Sequence, residues 1–320
     1  MYKFIDLFAG IGGFHLAFHN LGSECVFACE WNQYARKTYE YNHKKISPKL
    51  FDEGKFYGDI NSIKEIEKEI PDFDILTAGF PCQPFSQAGF KKGFADTRGT
   101  LFFNIAEILK VKRPKAFFLE NVRGLLNHNN GETLAVIKKV IEEDLGYSFH
   151  WKIVKAADHG LPQLRPRLFM VGFRDKEINF RFPEPIDLKL TMTDVWGAHC
   201  NRKVGFTLRC GGRGSDINDR RNWDSYLVDG KVKRLSPEEG KKMQGFPKDF
   251  VFPVNHVEAM KQLGNSVAIN AIQAVGAEII KSLNGATIES GYEISNRNYI
   301  KINKITIPAY AKIKVVTLKT

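Results

Sequence analysis

The fold is decided at the start of the chain, by the stretch Phe4-Ile-Asp-Leu-Phe-Ala-Gly-Ile-Gly-Gly-Phe14. Its apolar start predicts a short buried strand, and its glycines predict a tight turn. The residues after the glycines predict a helix. Glycines let a cofactor approach the backbone, and a helix N-terminus offers free N–H groups to a ligand. The spacing Gly10-x-Gly12-Gly13 differs from the GxGxxG dinucleotide fingerprint. The turn alone therefore leaves a cofactor site and an ordinary strand-to-helix turn both open.

Strands and helices alternate through the first 180 residues. Strands are predicted over residues 3–7, 24–29, 75–78, 116–119, 148–154 and 168–172, and helices over residues 14–21, 33–42, 99–110 and 133–145. This alternation is typical of βαβ units, so we predict an α/β fold with a mostly parallel sheet. Ligands of such sheets bind at the carboxyl ends of the strands.

The amino-acid composition of the chain changes near residue 191. Residues 191–232 are rich in Gly, Arg, Asn and Asp and predict a small, loop-rich lobe. Ser236, followed by a proline and two glutamates, predicts a helix start, and a last helix is predicted over residues 268–283. We therefore expect a catalytic and cofactor-binding domain at 1–185, a small domain at 186–235 and a return to the first domain at 236–284. A basic extension follows at 285–320, as strands or a loose arm.

Composition narrows the classes of function. The 320 residues are 43% hydrophobic and 26% charged, which argues against wholesale disorder. No apolar run approaches the roughly 20 residues that span a bilayer, and no secretory signal is visible, so a cytoplasmic protein that binds no membrane is expected. Five cysteines without a CxxC pair favour reduced thiols over disulfides or structural zinc, and no metal is expected. The net charge of +11 favours a polyanionic partner, nucleic acid first.

Candidate reactive residues follow the predicted strands. Cys82, within Phe80-Pro-Cys-Gln-Pro84, follows the strand at 75–78, and Glu120 ends the strand at 116–119. A nucleophile with an acid–base partner at one sheet edge is a catalytic arrangement, although a lone cysteine is most often a small buried hydrophobe. Arg165 and Arg167, which alternate around a proline, are expected to point to one side, unless both are surface charges.

Two carboxylates are placed to bind a nucleoside. Glu30 ends the strand at 24–29, where an acidic residue can hold ribose hydroxyls. Asp59 follows a Tyr-Gly pair and could cap the next strand. The alternative for Glu30 is that it only caps a helix beginning near Gln33.

Taken together, these motifs resemble the DNA (cytosine-5) methyltransferase family, most closely the bacterial restriction-modification enzymes. The motifs Phe-x-Gly-x-Gly-Gly, Pro-Cys-Gln, Glu-Asn-Val, Gln-x-Arg-x-Arg and Gly264-Asn-Ser-Val267 occur in the order typical of the family. The resemblance covers residues 2 to about 283, apart from the small lobe. It implies a Rossmann-like sheet of the class I S-adenosylmethionine-dependent methyltransferases, with the small lobe as a target-recognition domain.

The resemblance also implies the chemistry. S-adenosylmethionine is the methyl donor, and the substrate is a cytosine flipped out of duplex DNA. Cys82 adds to C6 of the base, Glu120 contacts N3 and the exocyclic amine, and Arg165 and Arg167 hold the base carbonyl and order the catalytic loop. The base that removes the C5 proton is not identified and can be water. The expected cofactor-binding residues are Phe8, Gly10, Ile11, Gly12, Glu30, Trp31, Asp59, Ile60, Pro81, Leu101, Asn265 and Val267.

DNA contacts are expected in two regions. The polar segment after Cys82 has glycines at 89, 93 and 99 and suits a mobile lid; its candidate contacts are Ser86, Gln87, Lys91 and Arg98. In the small lobe the candidates are Arg209, Arg213, Arg220 and Arg221, which can read base edges or hold phosphates. Lys91 and Arg98 can also be ordinary solvated charges. The resemblance suggests a short palindrome containing GCGC as the target, a monomer on DNA, and a cognate restriction endonuclease as the genetic partner.

Three other functions are weighed against this one. A tRNA cytosine-5 methyltransferase shares the framework, because some relatives with short lobes act on tRNA. A catalytically inactive DNA-binding protein is disfavoured by the intact set of Cys82, Glu120, Arg165 and Arg167. A Rossmann oxidoreductase is disfavoured because the glycine spacing is wrong and the Pro-Cys-Gln motif would be unexplained.

Overall fold

The computed structural model describes residues 1–81 and 101–285, and beyond them only the backbone of four short strands. Seven strands form one sheet in the order β3-β2-β1-β4-β5-β7-β6. The strands are β1 Lys3–Leu7, β2 Glu24–Cys29, β3 Phe56–Tyr57, β4 Ile75–Gly79, β5 Ala116–Val122, β6 His150–Lys155 and β7 Pro166–Phe173. β7 runs antiparallel to both neighbours, and the pairs β3-β2, β2-β1, β1-β4 and β4-β5 are parallel. The prediction of a mostly parallel α/β sheet is confirmed.

Helices connect the strands and cover both faces of the sheet. They are α1 Gly13–Asn20, α2 Gln33–His43, α3 Pro48–Asp52, α4 Ile66–Glu69, α5 Leu101–Lys112, α6 Glu132–Lys139, α7 Met192–Trp196, α8 Pro237–Gln244, α9 His256–Asn265 and α10 Ile269–Leu283. The helix start predicted at Ser236 is confirmed, because Ser236 and Glu239 cap each other's backbone N–H groups. The last predicted helix is α10, which begins at Ile269.

Several boundaries differ from the sequence-based expectation. β5 continues past Leu119 to Val122, so Glu120 lies inside a strand and pairs with Phe169 of β7. The helix expected over residues 133–145 is α6 followed by one π-helical turn, Val140–Asp144. Helix α9 was not predicted although its buried residues have a helical spacing, and the strand β3 was not predicted because two residues are too few to show a period.

Two apolar clusters fill the two faces of the sheet. One contains Phe4 of β1 and Phe118 of β5; the other contains Ile5 and Phe117, their immediate neighbours in sequence. This alternation is what a strand with a period of two requires when helices cover both faces. Buried residues of the small lobe, among them Trp223, belong to the first cluster, so the lobe packs on the core of the sheet.

The small lobe contains α7 and an antiparallel hairpin of β8 Ser225–Val228 and β9 Lys231–Arg234. In the tail, Glu293–Ser295 pairs with Lys312–Lys314, and Lys301–Ile302 pairs with Ile305–Thr306. One helical stretch in the described chain, His256–Leu283, is apolar and long enough to cross a membrane by composition, and 72% of its apolar window is buried inside the protein. That burial is typical of core helices, here α9 and α10.

Candidate active site

The candidate residues converge where the parallel strands end. Gly79 closes β4 and pairs in register with Glu120 of β5. A Cβ atom added at Gly79 would lie 3.7 Å from Oε2 of Glu120, 3.7 Å from Phe14 and 3.9 Å from Val267. The end of β4, the start of α1 and the loop before α10 therefore surround one point, as expected for a ligand site of an α/β sheet.

The turn after β1 is tied to the end of β2 by Glu30. The Gly10 N–H donates to Oε2 of Glu30 at 2.8 Å, and the Asn32 N–H donates to Oε1 at 2.7 Å. Burial raises the pKa of the Glu30 carboxyl, while the N–H donors and Arg36 act in the opposite direction. Asn32 accepts from the N–H groups of the first turn and caps α2. The alternative that Glu30 only caps this helix is therefore wrong.

Open space and an exposed ring lie beside this carboxylate. Gly10 has φ +56°, and a Cβ atom added there would meet no atom within 4 Å. Trp31 is 77% exposed and leaves an indole free to pack on a ligand. Because each carboxylate oxygen has two lone pairs, Glu30 can still accept from two hydroxyls. The residues present therefore fit an adenosyl ligand with a ribose diol.

The other predicted cofactor residues surround the same edge at different depths. Asp59 accepts from the backbone and side-chain nitrogens of Asn61, both at 2.9 Å, and so caps the turn that contains Ile60. Val267 packs on Gly13, where an added Cβ would lie 2.5 Å from its Cγ2. Four of these residues are buried: Ile11, Gly12, Ile60 and Val267. Two are half-buried, Phe8 and Leu101, and three are exposed, Asp59, Pro81 and Asn265.

Glu120 and Arg167 form a buried ion pair. Arg167 Nε lies 2.9 Å from Glu120 Oε1, and the two side chains are 16% and 11% exposed. Burial raises the pKa of the Glu120 carboxyl, and the charges of Arg167 and Arg165 act against that rise. A carboxyl with a raised pKa is suited to share a proton with a ring nitrogen.

Asn121, the next residue of β5, orients the neighbouring strand end. Its Nδ2 donates to the Phe80 carbonyl at 2.9 Å, two residues before Cys82. Asn121 was assigned no role from the sequence, although it belongs to the Glu-Asn-Val motif. Cys82 and the candidate DNA contacts Ser86, Gln87, Lys91 and Arg98 lie outside the described residues.

Arg165 has different partners from Arg167. It is 2% exposed, and its guanidinium donates to the carbonyls of Leu208 at 3.1 Å, Gly264 at 3.0 Å, and Ser266. The alternative that both arginines are surface charges is wrong. Arg165 instead joins the small lobe to the loop that precedes Val267.

Gln163 supports the same junction, and its role was also missed. It is fully buried, and its side chain donates to the Met243 carbonyl at 2.9 Å and accepts from the Leu208 N–H at 3.0 Å. A Cβ atom added at Gly264 would lie 2.3 Å from the carbonyl carbon of Arg209. The backbone of the lobe therefore rests directly on the Gly-Asn-Ser-Val motif.

The four arginines predicted to contact DNA fall into two groups. Arg213 donates to buried Asp224 at 3.4 Å and to the Leu235 carbonyl at 2.7 Å. Arg221 pairs with Asp219 at 2.7 Å. Within the described part of the chain, Arg209 and Arg220 are exposed and make no side-chain hydrogen bond or ion pair. An open depression in the lobe is lined by Arg209, Gly212, Arg213, Gly214, Ser215 and Arg221.

Comparison with known proteins identifies the family of this chain. A family model described as C-5 cytosine-specific DNA methylase matches residues 2–207 and 209–281. The Type II methyltransferase M.SsoII of Shigella sonnei is 41% identical over 318 residues, which cover 88% of this chain and 81% of that protein. M.HpaII of Haemophilus parainfluenzae is 42% identical over 332 residues, which cover 88% and 90%.

A solved structure shares the fold at lower identity. It is a variant of Spodoptera frugiperda DNMT2, with a TM-score of 0.65 at 19% identity, and the match covers 89% of this chain and 100% of that one. Because the family model spans nearly the whole described catalytic region and the Type II relatives exceed 40% identity, the chain belongs to the C-5 cytosine-specific DNA methylases.

Proposed function

We propose that the protein transfers a methyl group from S-adenosylmethionine to C5 of a cytosine flipped out of duplex DNA, with Cys82 as the nucleophile. One observation carries the proposal. The buried pair of Glu120 and Arg167 lies at the end of β5, beside the strand that leads into Pro81 and Cys82. A carboxyl with a raised pKa, beside the strand that precedes Cys82 in the sequence, is the acid that this chemistry needs.

The reaction needs help because cytosine C5 is a weak nucleophile. When the Cys82 thiolate forms a bond to C6, electron density moves to C5, and a proton at N3 neutralises the ring. Glu120 is the residue proposed to hold that proton, since burial raises the pKa of its carboxyl. Arg167 fixes the Glu120 carboxyl through its Nε and is proposed to hold the base carbonyl. C5 would then take up the methyl group, and the donor's sulfur would leave as a neutral thioether. Loss of the C5 proton to a base breaks the Cys82–C6 bond, and the N3 proton returns to Glu120, which restores the ring and frees the cysteine.

Glu30 and Trp31 are the residues proposed to hold the cofactor, which supplies an electrophilic methyl group when bound. Glu30 is fixed by two backbone N–H donors, so its free lone pairs have a defined direction toward a ribose diol. The open space over Gly10 allows close approach to the turn, and the exposed indole of Trp31 offers an apolar surface to an adenine. Asp59, Ile60 and Val267 are proposed to complete the pocket.

Recognition of DNA is assigned to the small lobe. The net charge of +11 supports a polyanionic partner, and the open depression of the lobe carries three arginines. Arg209 and Arg220 are proposed to read base edges, because they are exposed and make no other hydrogen bond in the described chain. Arg213 and Arg221 are proposed to shape the lobe and contact phosphates.

The biological role proposed is protection of host DNA in a restriction-modification system. The relatives M.SsoII and M.HpaII carry the description Type II methyltransferase. By extension, we propose that the enzyme acts as a monomer on a short DNA target in the cytoplasm. A cognate endonuclease is its proposed genetic partner.

The test is methylation of duplex DNA and of tRNA, side by side, with labelled S-adenosylmethionine. Incorporation into DNA alone is expected, and bisulfite sequencing of methylated genomic DNA should then give one short target sequence. Cys82→Ser and Glu30→Ala are the matched inactive and cofactor-deficient controls. Incorporation into tRNA alone, or no incorporation with cofactor bound, would contradict the proposal.

A further inference from the structure

Two stacked imidazoles lie beneath the glycine turn. His15 of α1 and His43, the last residue of α2, are 0% and 1% exposed, and their ring centroids are 4.4 Å apart at an interplanar angle of 15°. His15 is held by the Tyr39 hydroxyl at 2.6 Å and the Ser47 hydroxyl at 2.9 Å. Neither histidine takes part in the proposed methyl transfer. His43 Nδ1 is buried without a hydrogen-bond partner in the described chain, so burying this ring calls for a structural or functional reason.

His43 contacts the backbone of the turn directly. Its Nε2 lies 3.0 Å from the Ile11 carbonyl oxygen, and since that oxygen can only accept, Nε2 carries the hydrogen. Burial lowers the pKa of His43 to about 4, so the ring is neutral at physiological pH. A Cβ atom added at Gly12 would lie 2.0 Å from His43 Nε2. The imidazole therefore occupies the space that any side chain at position 12 would need.

The turn is consequently held from two sides. Glu30 accepts from the Gly10 N–H at 2.8 Å at one end, and His43 donates to the Ile11 carbonyl at the other. Gly12 has φ +83°, and its N–H donates to the Ala9 carbonyl at 2.8 Å. The hydrogen bond from His43 to the Ile11 carbonyl therefore restrains the same peptide at its other end, before any ligand arrives.

We propose that His43 is a positioning residue for cofactor binding: its Nε2–H fixes the Ile11 carbonyl and pre-forms the turn on which the adenosyl group is bound. The inference rests on the proposed function, because the turn matters only if it holds the cofactor. His43 lies behind the turn and has no contact with the ligand in this account. Its effect is therefore on affinity for the cofactor and not on the chemical step.

Two substitutions separate positioning from packing. His43→Phe keeps an aromatic ring against His15 but removes the donor, and His43→Gln keeps a donor but removes the ring. Isothermal calorimetry with S-adenosylmethionine should give a Kd raised roughly tenfold for His43→Phe, the scale of one buried hydrogen bond lost, and within about twofold of wild type for His43→Gln. His19→Phe is the matched control, since His19 lies half-buried on α1 and its ring makes no hydrogen bond in the described chain.

The KM values for S-adenosylmethionine should rank the two variants in the same order as the Kd values. For His43→Phe the KM for S-adenosylmethionine rises, while kcat at saturating cofactor stays within about twofold of wild type. The reverse order, with His43→Phe like wild type and His43→Gln weak in calorimetry, would show packing alone and overturn the inference. Should His43→Phe fail to fold in a thermal melt, His43→Gln decides: a folded variant with weakened binding contradicts the proposal. Failure of the wild-type protein to bind S-adenosylmethionine would instead overturn the proposed function.

Discussion

Replacing Arg165 by methionine is expected to loosen the junction between the small lobe and the catalytic domain. The guanidinium donates to the carbonyls of Leu208, Gly264 and Ser266 from a position that is 2% exposed. Hydrogen bonds from a charged donor contribute about 1.5–3 kcal/mol each, so three give roughly 4.5–9 kcal/mol before the cost of burying the charge is subtracted.

Desolvation of the charge offsets part of that gain. Burial lowers the pKa of Arg165, and its Nε has no hydrogen-bond partner, so holding the charge there is costly. Methionine has a similar length and removes both the charge and its cost, but it leaves three buried carbonyls without donors. We therefore expect a net loss of about 3 kcal/mol in the free energy of unfolding.

Urea unfolding measures the loss, and hydrogen exchange followed by mass spectrometry locates it. Exchange should accelerate first at residues 205–210 and 264–266. Arg174→Met is the matched control, because Arg174 is exposed and donates to the single carbonyl of Arg113 at 2.7 Å. If Arg165→Met stays within about 1 kcal/mol of wild type and exchanges at the same rates, Arg165 does not hold the junction.

Three further predictions concern the catalytic acid, the core and the lobe. Glu120→Gln should lower the single-turnover rate by about 10²- to 10⁴-fold at saturating DNA, and a loss below tenfold would remove Glu120 as the acid. Burial raises the pKa of the Asp6 carboxyl well above its ordinary value. The stabilising effect of the Asp6 carboxyl is therefore present below about pH 4 and is lost as pH rises through the folded-state pKa. Urea unfolding should show Asp6→Asn gaining stability relative to wild type as pH rises. A stability difference between the two proteins that does not change with pH would contradict the raised pKa of Asp6. Arg209→Ala or Arg220→Ala should cost about 1–3 kcal/mol of discrimination between cognate and scrambled duplexes. Arg213→Ala should mainly lower the melting temperature of the protein. Equal losses of affinity for both duplexes in all three variants would assign base reading to another part of the chain.

The sheet could be predicted because its strands are short apolar runs bounded by glycines and polar residues. β1 and β2 have the predicted bounds, and the turn between β1 and α1 occurs where the glycines placed it. Strands β5 and β7 extend beyond their predicted ends. Glu120 and Arg167 are charged residues inside strands, and they are tolerated there because they pair with each other across the sheet.

The partners of the charged residues could not be predicted from the sequence. Arg165 and Arg167 are two residues apart in one motif, yet one holds backbone carbonyls of the small lobe and the other holds Glu120. Partners of this kind lie up to 101 residues away in the chain, and only the fold brings them together. His43 carried no signal at all, because a histidine at the end of a helix is usually a surface residue that interacts with the helix dipole.

Trapping the covalent intermediate tests the role of Cys82 as the nucleophile. Once the target sequence is mapped, a duplex with 5-fluorocytosine at the target position is incubated with the enzyme and S-adenosylmethionine, and the adduct is digested and sequenced by mass spectrometry. Fluorine cannot leave C5 as a proton does, so a stable adduct is expected on Cys82 and none on Cys82→Ser. An adduct on another residue, or a Cys82→Ser enzyme that keeps a tenth or more of the wild-type rate, would show that Cys82 is not the nucleophile.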